Sequence, residues 1–225
     1  MAYFLVSLGL EMDGLQPSFC SLYQLGAKYT PDIVLRFQFQ RLFLPIFLHA
    51  NFVHLLMNVF FQMRIGFWVE KYFGTLKMIV IYLVSGVGGN LLSAFLDRQN
   101  LSIGASTSVF GIFGAYGCYF AYNWNNMGPG RNLNLLLYLF FVVVNFSFSL
   151  SVKSIDMGGH LGGYMVGGAV GFMLLPWEET TKTWAWIRIG SAVGSFLFFG
   201  GLVLGLSLIT FPCGECIHPC VGYFS

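Results

Sequence analysis

Charged side chains are scarce in this chain. Asp, Glu, Lys and Arg together make up only 9% of its 225 residues, whereas a soluble domain carries about a quarter. Too few charges are present to cover a surface that faces water, which argues strongly against a soluble globular protein. Intrinsic disorder is excluded as well, because it requires low hydrophobicity and 56% of these residues are hydrophobic.

The chain also lacks a basic cluster. Its 11 Lys and Arg residues are scattered and nearly balanced by 9 Asp and Glu residues, which leaves a net charge of +2. A nucleic-acid-binding protein would concentrate basic side chains on one face, so no nucleic-acid partner is expected. A transmembrane β-barrel is disfavoured because its strands alternate only weakly, and this chain has long unbroken apolar runs.

Long stretches without any Asp, Glu, Lys or Arg are the main positive feature, and six of them are 19 residues or longer. A helix of about 20 residues crosses the ~30 Å hydrocarbon core of a bilayer. We therefore predict an all-α fold, a polytopic bundle of membrane-spanning helices. The predicted spans lie near 50–69, 77–96, 103–122, 133–151, 158–175 and 188–210.

The N-terminal region does not fit a full span. Residues 1–10 are apolar, but Glu11 and Asp13 end the run, which is too short to cross a bilayer as a helix. We expect this segment either to lie in the interface or to be the remnant of a truncated first helix. Residues 11–48 then form a loop too long for a simple connector, and such loops often shape a site.

Polar side chains inside the predicted spans are candidates for function. At about 100° per residue, His54 and Asn58 lie about 40° apart on one helix face, and Asn51 falls on that face as well. His49 precedes them. The stripe is expected to face the bundle interior, where hydrogen bonding between helices is the structural alternative to catalysis.

A serine stands near the predicted start of the third span, two residues after Gly104. Gly104 permits a tight turn and a close backbone approach. At a helix N-terminus the Ser106 hydroxyl would lie beside free backbone N–H groups, which can bind a developing oxyanion. A serine that bonds back to the preceding turn is the structural alternative.

His160 belongs to a glycine-rich segment in which glycines recur every four residues from Gly159 to Gly171. This spacing lets another helix approach closely, and tight packing alone would explain it. His160 is predicted to point at the same neighbour. A serine needs a base to become a nucleophile, usually a neutral histidine, so a pairing of His160 with Ser106 would account for both residues.

Taken in order, these motifs resemble the rhomboid family of intramembrane serine proteases. The similarity covers residues 25–176 and rests on His49-x4-His54-x3-Asn58, Gly104-x-Ser106 and His160-x2-Gly163-x3-Gly167.

The resemblance implies an endopeptidase that cleaves transmembrane segments with a Ser–His dyad and no acidic partner. Ser106 would be the nucleophile and His160 the general base. His54, Asn58 and the Ser106 backbone N–H would form the oxyanion hole. Supporting positions would be His49, Gly104, Phe110, Gly163 and Gly167. No cofactor or metal is expected, and the partners would be transmembrane protein substrates and the lipid bilayer.

The resemblance further implies a six-helix core and a seventh C-terminal helix, as in the eukaryotic secretase-type members. The expected parts are a first-helix remnant (1–10), the first loop (11–48), the protease core (49–176), a linker (177–187), the extra helix (188–211) and a Cys-rich tail (212–225). That class would place the site and the C-terminus on the luminal or extracellular side. The host would be the plasma membrane or a secretory-pathway membrane.

Two positions depart from the family pattern. Thr107 stands where the family usually has Gly after the nucleophile, and it is expected to narrow the oxyanion pocket. Gln40-Arg41 replaces a Trp-Arg pair of the first loop, so a membrane-anchoring aromatic ring is expected to be missing.

Three cysteines, Cys213, Cys216 and Cys220, crowd the tail beside His218. In an oxidising lumen a disulfide is expected, and free or palmitoylated thiols or zinc ligation are the alternatives.

Three rival functions fit parts of the pattern. A rhomboid-like pseudoprotease would bind membrane clients without cutting them. A small transporter or channel would use the His and Asn stripe but would leave the Ser–His pairing unexplained. A metal site built from His49, His54 and His160 would lack an obvious carboxylate or thiol to complete it.

Overall fold

A computed structural model describes residues 12–13, 16–152, 155–175, 181–211 and 220. The expected helix remnant at 1–10, together with Cys213, Cys216 and His218, lies outside the described residues. Two short strands, β1 (Met12–Asp13) and β2 (Gln16–Pro17), pair antiparallel. The α-helices that follow are α1 (Phe19–Gln24), α2 (Thr30–Leu35), α3 (Phe52–Phe73), α4 (Thr75–Leu96), α5 (Ser106–Asn123), α6 (Arg131–Ser151), α7 (Met157–Met173) and α8 (Lys182–Ser207).

Helices occupy all six stretches that were predicted to span the membrane, and apart from the β1–β2 pair the described fold is all-α, as expected. Among the described residues, α3, α4, α6 and α8 are long and apolar enough to cross a hydrocarbon core. The other two, α5 and α7, are 18 and 17 residues long. They pack against each other inside the bundle, so lipid contact does not dictate their length.

The last helix begins earlier than predicted. It starts at Lys182, within the stretch expected to be a linker, instead of at 188. The reason is a helix cap, because the Thr181 side chain accepts a hydrogen bond from the backbone N–H of Trp184.

Glycines bring α5 and α7 into backbone contact. A Cβ added at Gly163 would lie 2.0 Å from the Thr107 carbonyl oxygen, and one added at Gly167 would lie 2.1 Å from that of Gly111. No side chain fits in either place without moving a helix. The four-residue glycine spacing therefore fixes how closely α7 approaches α5.

Large apolar side chains cover the outer faces of the bundle. Phe67 on α3 is 62% exposed, Leu136 on α6 is 63% exposed and Phe196 on α8 is 78% exposed. Monomeric soluble proteins rarely expose contiguous apolar surface on this scale, whereas lipid tails accept it. With the long apolar helices, this surface identifies an integral membrane protein.

The loop before α3 has a polar core of its own. The Arg41 guanidinium pairs with Asp32, with Nη2 3.2 Å from Oδ2, and donates to the backbone carbonyls of Tyr23 and Ala27 at 2.8 and 2.9 Å. The Tyr23 hydroxyl donates to the same carboxylate. Burial, with Asp32 as the second cause, raises the pKa of Tyr23 to about 12. This segment is a compact unit at one end of the bundle.

The same loop presents exposed aromatic rings. Phe37, Phe39 and Phe43 are 72%, 61% and 40% exposed. They flank Gln40, the position at which an anchoring aromatic was expected to be missing. A short 3₁₀ turn at Phe39–Leu42 buries Arg41 and leaves the rings outside. Aromatic side chains are therefore present at this surface after all, on neighbouring positions.

A disulfide joins the two ends of the described chain. Cys20 on α1 is bonded to Cys220, which is 200 positions away in sequence. A disulfide was predicted among the cysteines of the tail. The bond in the structure instead connects the tail to the first loop. Both cysteines are buried beside Tyr23.

Candidate active site

Ser106 is the first residue of α5. Gly104, two residues earlier, has φ +132°, which side chains rarely adopt, and its backbone N–H donates to the Pro45 carbonyl at 2.9 Å. This turn starts the helix at the serine. The first backbone N–H groups of a helix have no acceptor within it, so the Ser106 hydroxyl lies among unused donors.

Tight packing of α7 on α5 brings His160 to the serine. The Nε2 atom of His160 lies 2.8 Å from the Ser106 hydroxyl oxygen, a hydrogen-bond distance. The ring is buried, whereas Ser106 is half-buried. Two residues from separate helices thus form one polar pair.

The ring of His160 is held on two sides. Phe110, one turn after Ser106 on α5, stacks on it with a centroid distance of 4.1 Å and an interplanar angle of 15°. Phe146 of α6 packs edge-on against Phe110 at 4.9 Å. The Nδ1 atom of His160 lies 2.7 Å from the hydroxyl oxygen of Ser149, also on α6. The ring has little freedom to rotate.

The carboxylate of Asp156 lies near His160 but acts as a helix cap. Asp156 caps the N-terminus of α7 by accepting from the Gly159 backbone N–H at 2.8 Å. Its other carboxylate oxygen accepts from the Ser93 hydroxyl at 2.5 Å. Asp156 therefore fixes the start of the helix that carries His160, while the Nδ1 contact of the ring goes to Ser149.

The ring of His54 lies beside the serine, across Gly104. A Cβ added at Gly104 would meet Nε2 of His54 at 3.0 Å and the hydroxyl oxygen of Ser106 at 3.4 Å. The absent side chain of Gly104 thus leaves the space between the two groups open. Asn58 is buried one turn further along α3, and its amide nitrogen donates to the His54 carbonyl at 2.9 Å.

Asn51 does not share the helix face of His54 and Asn58. It precedes α3 as the N-cap, and its side chain accepts from the His54 backbone N–H at 2.8 Å. Asn51 was wrongly predicted to share that face, because the helix begins only at Phe52.

His49 is buried in the loop and packs edge-on against the ring of His54, with the centroids 5.3 Å apart. Burial, helped by the neighbouring His54, lowers the pKa of His49 to about 4. The His49 ring is therefore neutral at physiological pH. Among the described residues, no three His, Cys, Asp or Glu side chains come together in a way that could hold a metal ion.

Thr107 faces away from the expected pocket. A Cβ added at Gly159 would meet the Thr107 methyl group at 2.8 Å, and one added at Gly89 would meet the Thr107 Cβ at 3.0 Å. The side chain therefore fills the seam between α4 and α7. One step along a helix turns a side chain by about 100°, which explains why Thr107 does not lie beside the hydroxyl of Ser106.

The chain is similar to known proteins over most of its length. The model of the Rhomboid domain family matches residues 36–177. The chain belongs to the rhomboid family. It is 38% identical over 213 residues to Rhomboid-like protease 1 of Toxoplasma gondii. It is 35% identical over 170 residues to RHOMBOID-like protein 6, mitochondrial, and 34% identical over 161 residues to RHOMBOID-like protein 1, both of Arabidopsis thaliana.

The extent of these matches differs between relatives. The Toxoplasma match covers 93% of this rhomboid and 70% of the relative. The two plant matches cover 73% and 72% of this chain but only 55% and 41% of the relatives. The chain thus spans about half the length of these plant rhomboids.

Ser149 is a residue of this site that was not predicted from the sequence. Ser147, Ser149 and Ser151 alternate along the end of α6 and look alike in sequence. The signal in the sequence is the helical period, which places Ser149 about 20° from Tyr138 on one face of α6. In the structure these two are the buried residues of α6, on the side that contacts α7.

Proposed function

We propose that this rhomboid is an intramembrane serine endopeptidase that cleaves transmembrane segments of membrane proteins with Ser106 and His160. The observation that carries the proposal is the 2.8 Å contact between the Ser106 hydroxyl oxygen and Nε2 of His160, beneath the stacked ring of Phe110. A nucleophile and a base within hydrogen-bond reach, with the base held by a third group, is the arrangement of activated serines.

The proposed reaction begins when Nε2 of His160 takes the Ser106 proton and the serine oxygen attacks the scissile carbonyl. The tetrahedral intermediate collapses when His160 returns the proton to the leaving amine, which leaves an acyl-enzyme at Ser106. Water, activated by the same imidazole, then hydrolyses the ester. The half-buried position of Ser106 supports access of water to the pair.

Three donors are proposed for the oxyanion: the Ser106 backbone N–H, the His54 ring and the Asn58 carboxamide. The Ser106 amide belongs to the first turn of α5, and the His54 ring borders the space at Gly104. Asn58 uses one N–H for the His54 carbonyl and has a second one to donate. One such donor contributes on the order of 10²–10³ in rate.

The proposed substrates are transmembrane helices that unwind easily. A helical segment hides its carbonyl groups in internal hydrogen bonds, so cleavage favours stretches with helix-breaking residues. The lipid-facing surface of the bundle supports a substrate that arrives within the bilayer plane.

The proposed orientation places the site on an oxidising side of the membrane. The loop before α3 pairs with the α4–α5 connection through the Lys28 and Ser102 backbones, which puts this loop at the Ser106 end of the bundle. Cys20 lies in the same loop and is disulfide-bonded. Disulfides persist in the secretory lumen and outside the cell, so the plasma membrane and secretory-pathway membranes are the proposed hosts.

A fluorophosphonate probe tests the proposal. The probe forms a stable bond only with an activated serine, so the purified full chain should be labelled at Ser106 and the Ser106→Ala variant should not. A folded chain that binds membrane clients but takes up no probe would instead be a pseudoprotease.

A further inference from the structure

The hydroxyl of Ser149 contacts the imidazole nitrogen of His160 that does not face Ser106. The Ser149 oxygen lies 2.7 Å from Nδ1 of His160, and the side chain is only 4% exposed. The same oxygen donates to the Asn145 backbone carbonyl at 2.9 Å, one helical turn earlier. Ser149 therefore has two polar neighbours and is almost fully buried.

Counting hydrogens assigns a direction to this contact. A serine hydroxyl carries a single hydrogen, and a hydrogen donated to the Asn145 carbonyl is not available to His160. With its hydrogen on the Asn145 carbonyl, the Ser149 oxygen accepts from Nδ1 of His160, and Nδ1 then carries the ring proton. We propose that Ser149 is a positioning residue, which holds His160 in the tautomer that leaves the lone pair of Nε2 facing Ser106.

This assignment deepens the proposed function and rests on it. A histidine that takes a proton from serine must present an unprotonated nitrogen to the hydroxyl. In the other tautomer Nε2 would carry a hydrogen and could not act as the base. When the partner of Nδ1 is an aspartate, that partner selects the tautomer. In this rhomboid the neutral hydroxyl of Ser149 takes that place.

The nearby carboxylate does not compete for the role. Asp156 is engaged by the Ser93 hydroxyl and by the Gly159 backbone N–H. Its position before α7 makes it a helix cap.

The Ser149 hydroxyl that contacts Nδ1 belongs to α6, a helix with few buried residues. The buried residues of α6 are Tyr138, whose hydroxyl contacts that of Tyr164 at 2.8 Å, and Ser149. Phe146 of α6 also packs on Phe110, which stacks on the imidazole. The state of the base thus depends on α6 being in place, since a displaced α6 would remove the acceptor from Nδ1.

The chain offers a matched control in the same turn of α6. Ser151 also donates its hydroxyl to the carbonyl four residues earlier, that of Ser147, at 2.8 Å, but it is exposed. Ser151→Ala removes the same kind of helix bond without touching the imidazole. Ser149→Thr keeps a hydroxyl at the position and serves as the conservative variant.

Two measurements on the purified full chain test the proposal. The first is the rate of labelling by the fluorophosphonate probe, separated into probe affinity and maximal rate. Ser149→Ala should lower the maximal rate about tenfold with little change in affinity, because one neutral hydrogen bond is lost. Ser149→Thr should restore most of the rate, and Ser151→Ala should match the unmodified chain.

The second measurement is nitrogen NMR of labelled histidine, with the His160 signal assigned by its loss in His160→Ala. The unmodified chain should show Nδ1 protonated, and Ser149→Ala should shift the population towards the Nε2-protonated form. An unchanged tautomer, or labelling of Ser149→Ala at the unmodified rate, overturns the role of Ser149. Failure of the protease proposal looks different: the unmodified chain takes up no probe while the tautomer still responds to Ser149→Ala.

Discussion

Nε2 of His160 lies 2.8 Å from the hydroxyl oxygen of Ser106, although the two residues are 54 positions apart in sequence. The contact depends on α5 and α7 packing backbone to backbone through glycines, among them Gly163 and Gly167. A side chain at either glycine would force the two helices apart, because its Cβ would lie 2.0 or 2.1 Å from a carbonyl oxygen of α5. Helix packing and the proposed chemistry are therefore properties of the same few residues.

His160→Ala should be as inactive as Ser106→Ala, and the double variant should be no worse than either. The reason is that a nucleophile and its base act as a unit, so the second loss removes nothing further. The maximal labelling rate with a fluorophosphonate probe measures this in all three variants. Losses that multiply in the double variant would argue against a dyad.

Asn58→Ala should lower the rate of substrate cleavage by on the order of 10²-fold, with substrate affinity nearly unchanged, because the oxyanion is the one part of the substrate that the carboxamide is proposed to contact. Asn123→Ala is the matched control, since that amide also donates to the carbonyl four residues earlier, at 3.0 Å, but at the end of α5 remote from Ser106. Equal effects of the two substitutions would assign Asn58 a structural role alone.

Gly104→Ala should abolish activity while the chain still folds. The new methyl group would lie 2.9 Å from the His54 ring, in a backbone conformation with φ +132° that alanine rarely adopts. Gly128→Ala is the control, because a Cβ there would meet nothing within 4 Å. Cleavage of a membrane substrate and the melting temperature are measured together. Full activity of Gly104→Ala would show that the space between His54 and Ser106 is not needed for cleavage.

Cys20→Ser should lower the stability of the chain by about 2 kcal/mol, or several degrees in melting temperature, because the bond to Cys220 constrains a long stretch of chain. Reductant should have the same effect on the unmodified chain and none on Cys20→Ser. Cys118→Ala controls for thiol chemistry elsewhere, since Cys118 is a free buried cysteine. A reductant effect that survives in Cys20→Ser would point to a different bond.

Much of the fold could be predicted because the bilayer leaves few options. A charge-free stretch of about 20 residues in a chain this apolar forms a spanning helix, and helices occupy all six predicted stretches. The ends were harder to predict because capping decides them: Thr181 starts α8 early, and Asn51 caps α3 when it was expected to lie on its face.

The proposed site was only partly visible in the sequence. Polar residues beside glycines, such as Ser106 after Gly104 and His160 among regularly spaced glycines, are conspicuous in an apolar chain. Ser149 was not, because serines are common in membrane helices and only the fold distinguishes it from Ser147 and Ser151. The pairing of Cys20 with Cys220 depends on how the first loop folds around Asp32 and Arg41, which no local pattern shows.

Cleavage of a tagged single-span membrane protein is the most direct test of the proposed activity. A panel of such substrates with helix-breaking residues in the span is expressed with the unmodified chain, Ser106→Ala or Gly128→Ala. We expect the unmodified chain and Gly128→Ala to cut at least one substrate within its span. Ser106→Ala should cut none. The same product in the presence of Ser106→Ala would contradict the assignment of Ser106 as the nucleophile.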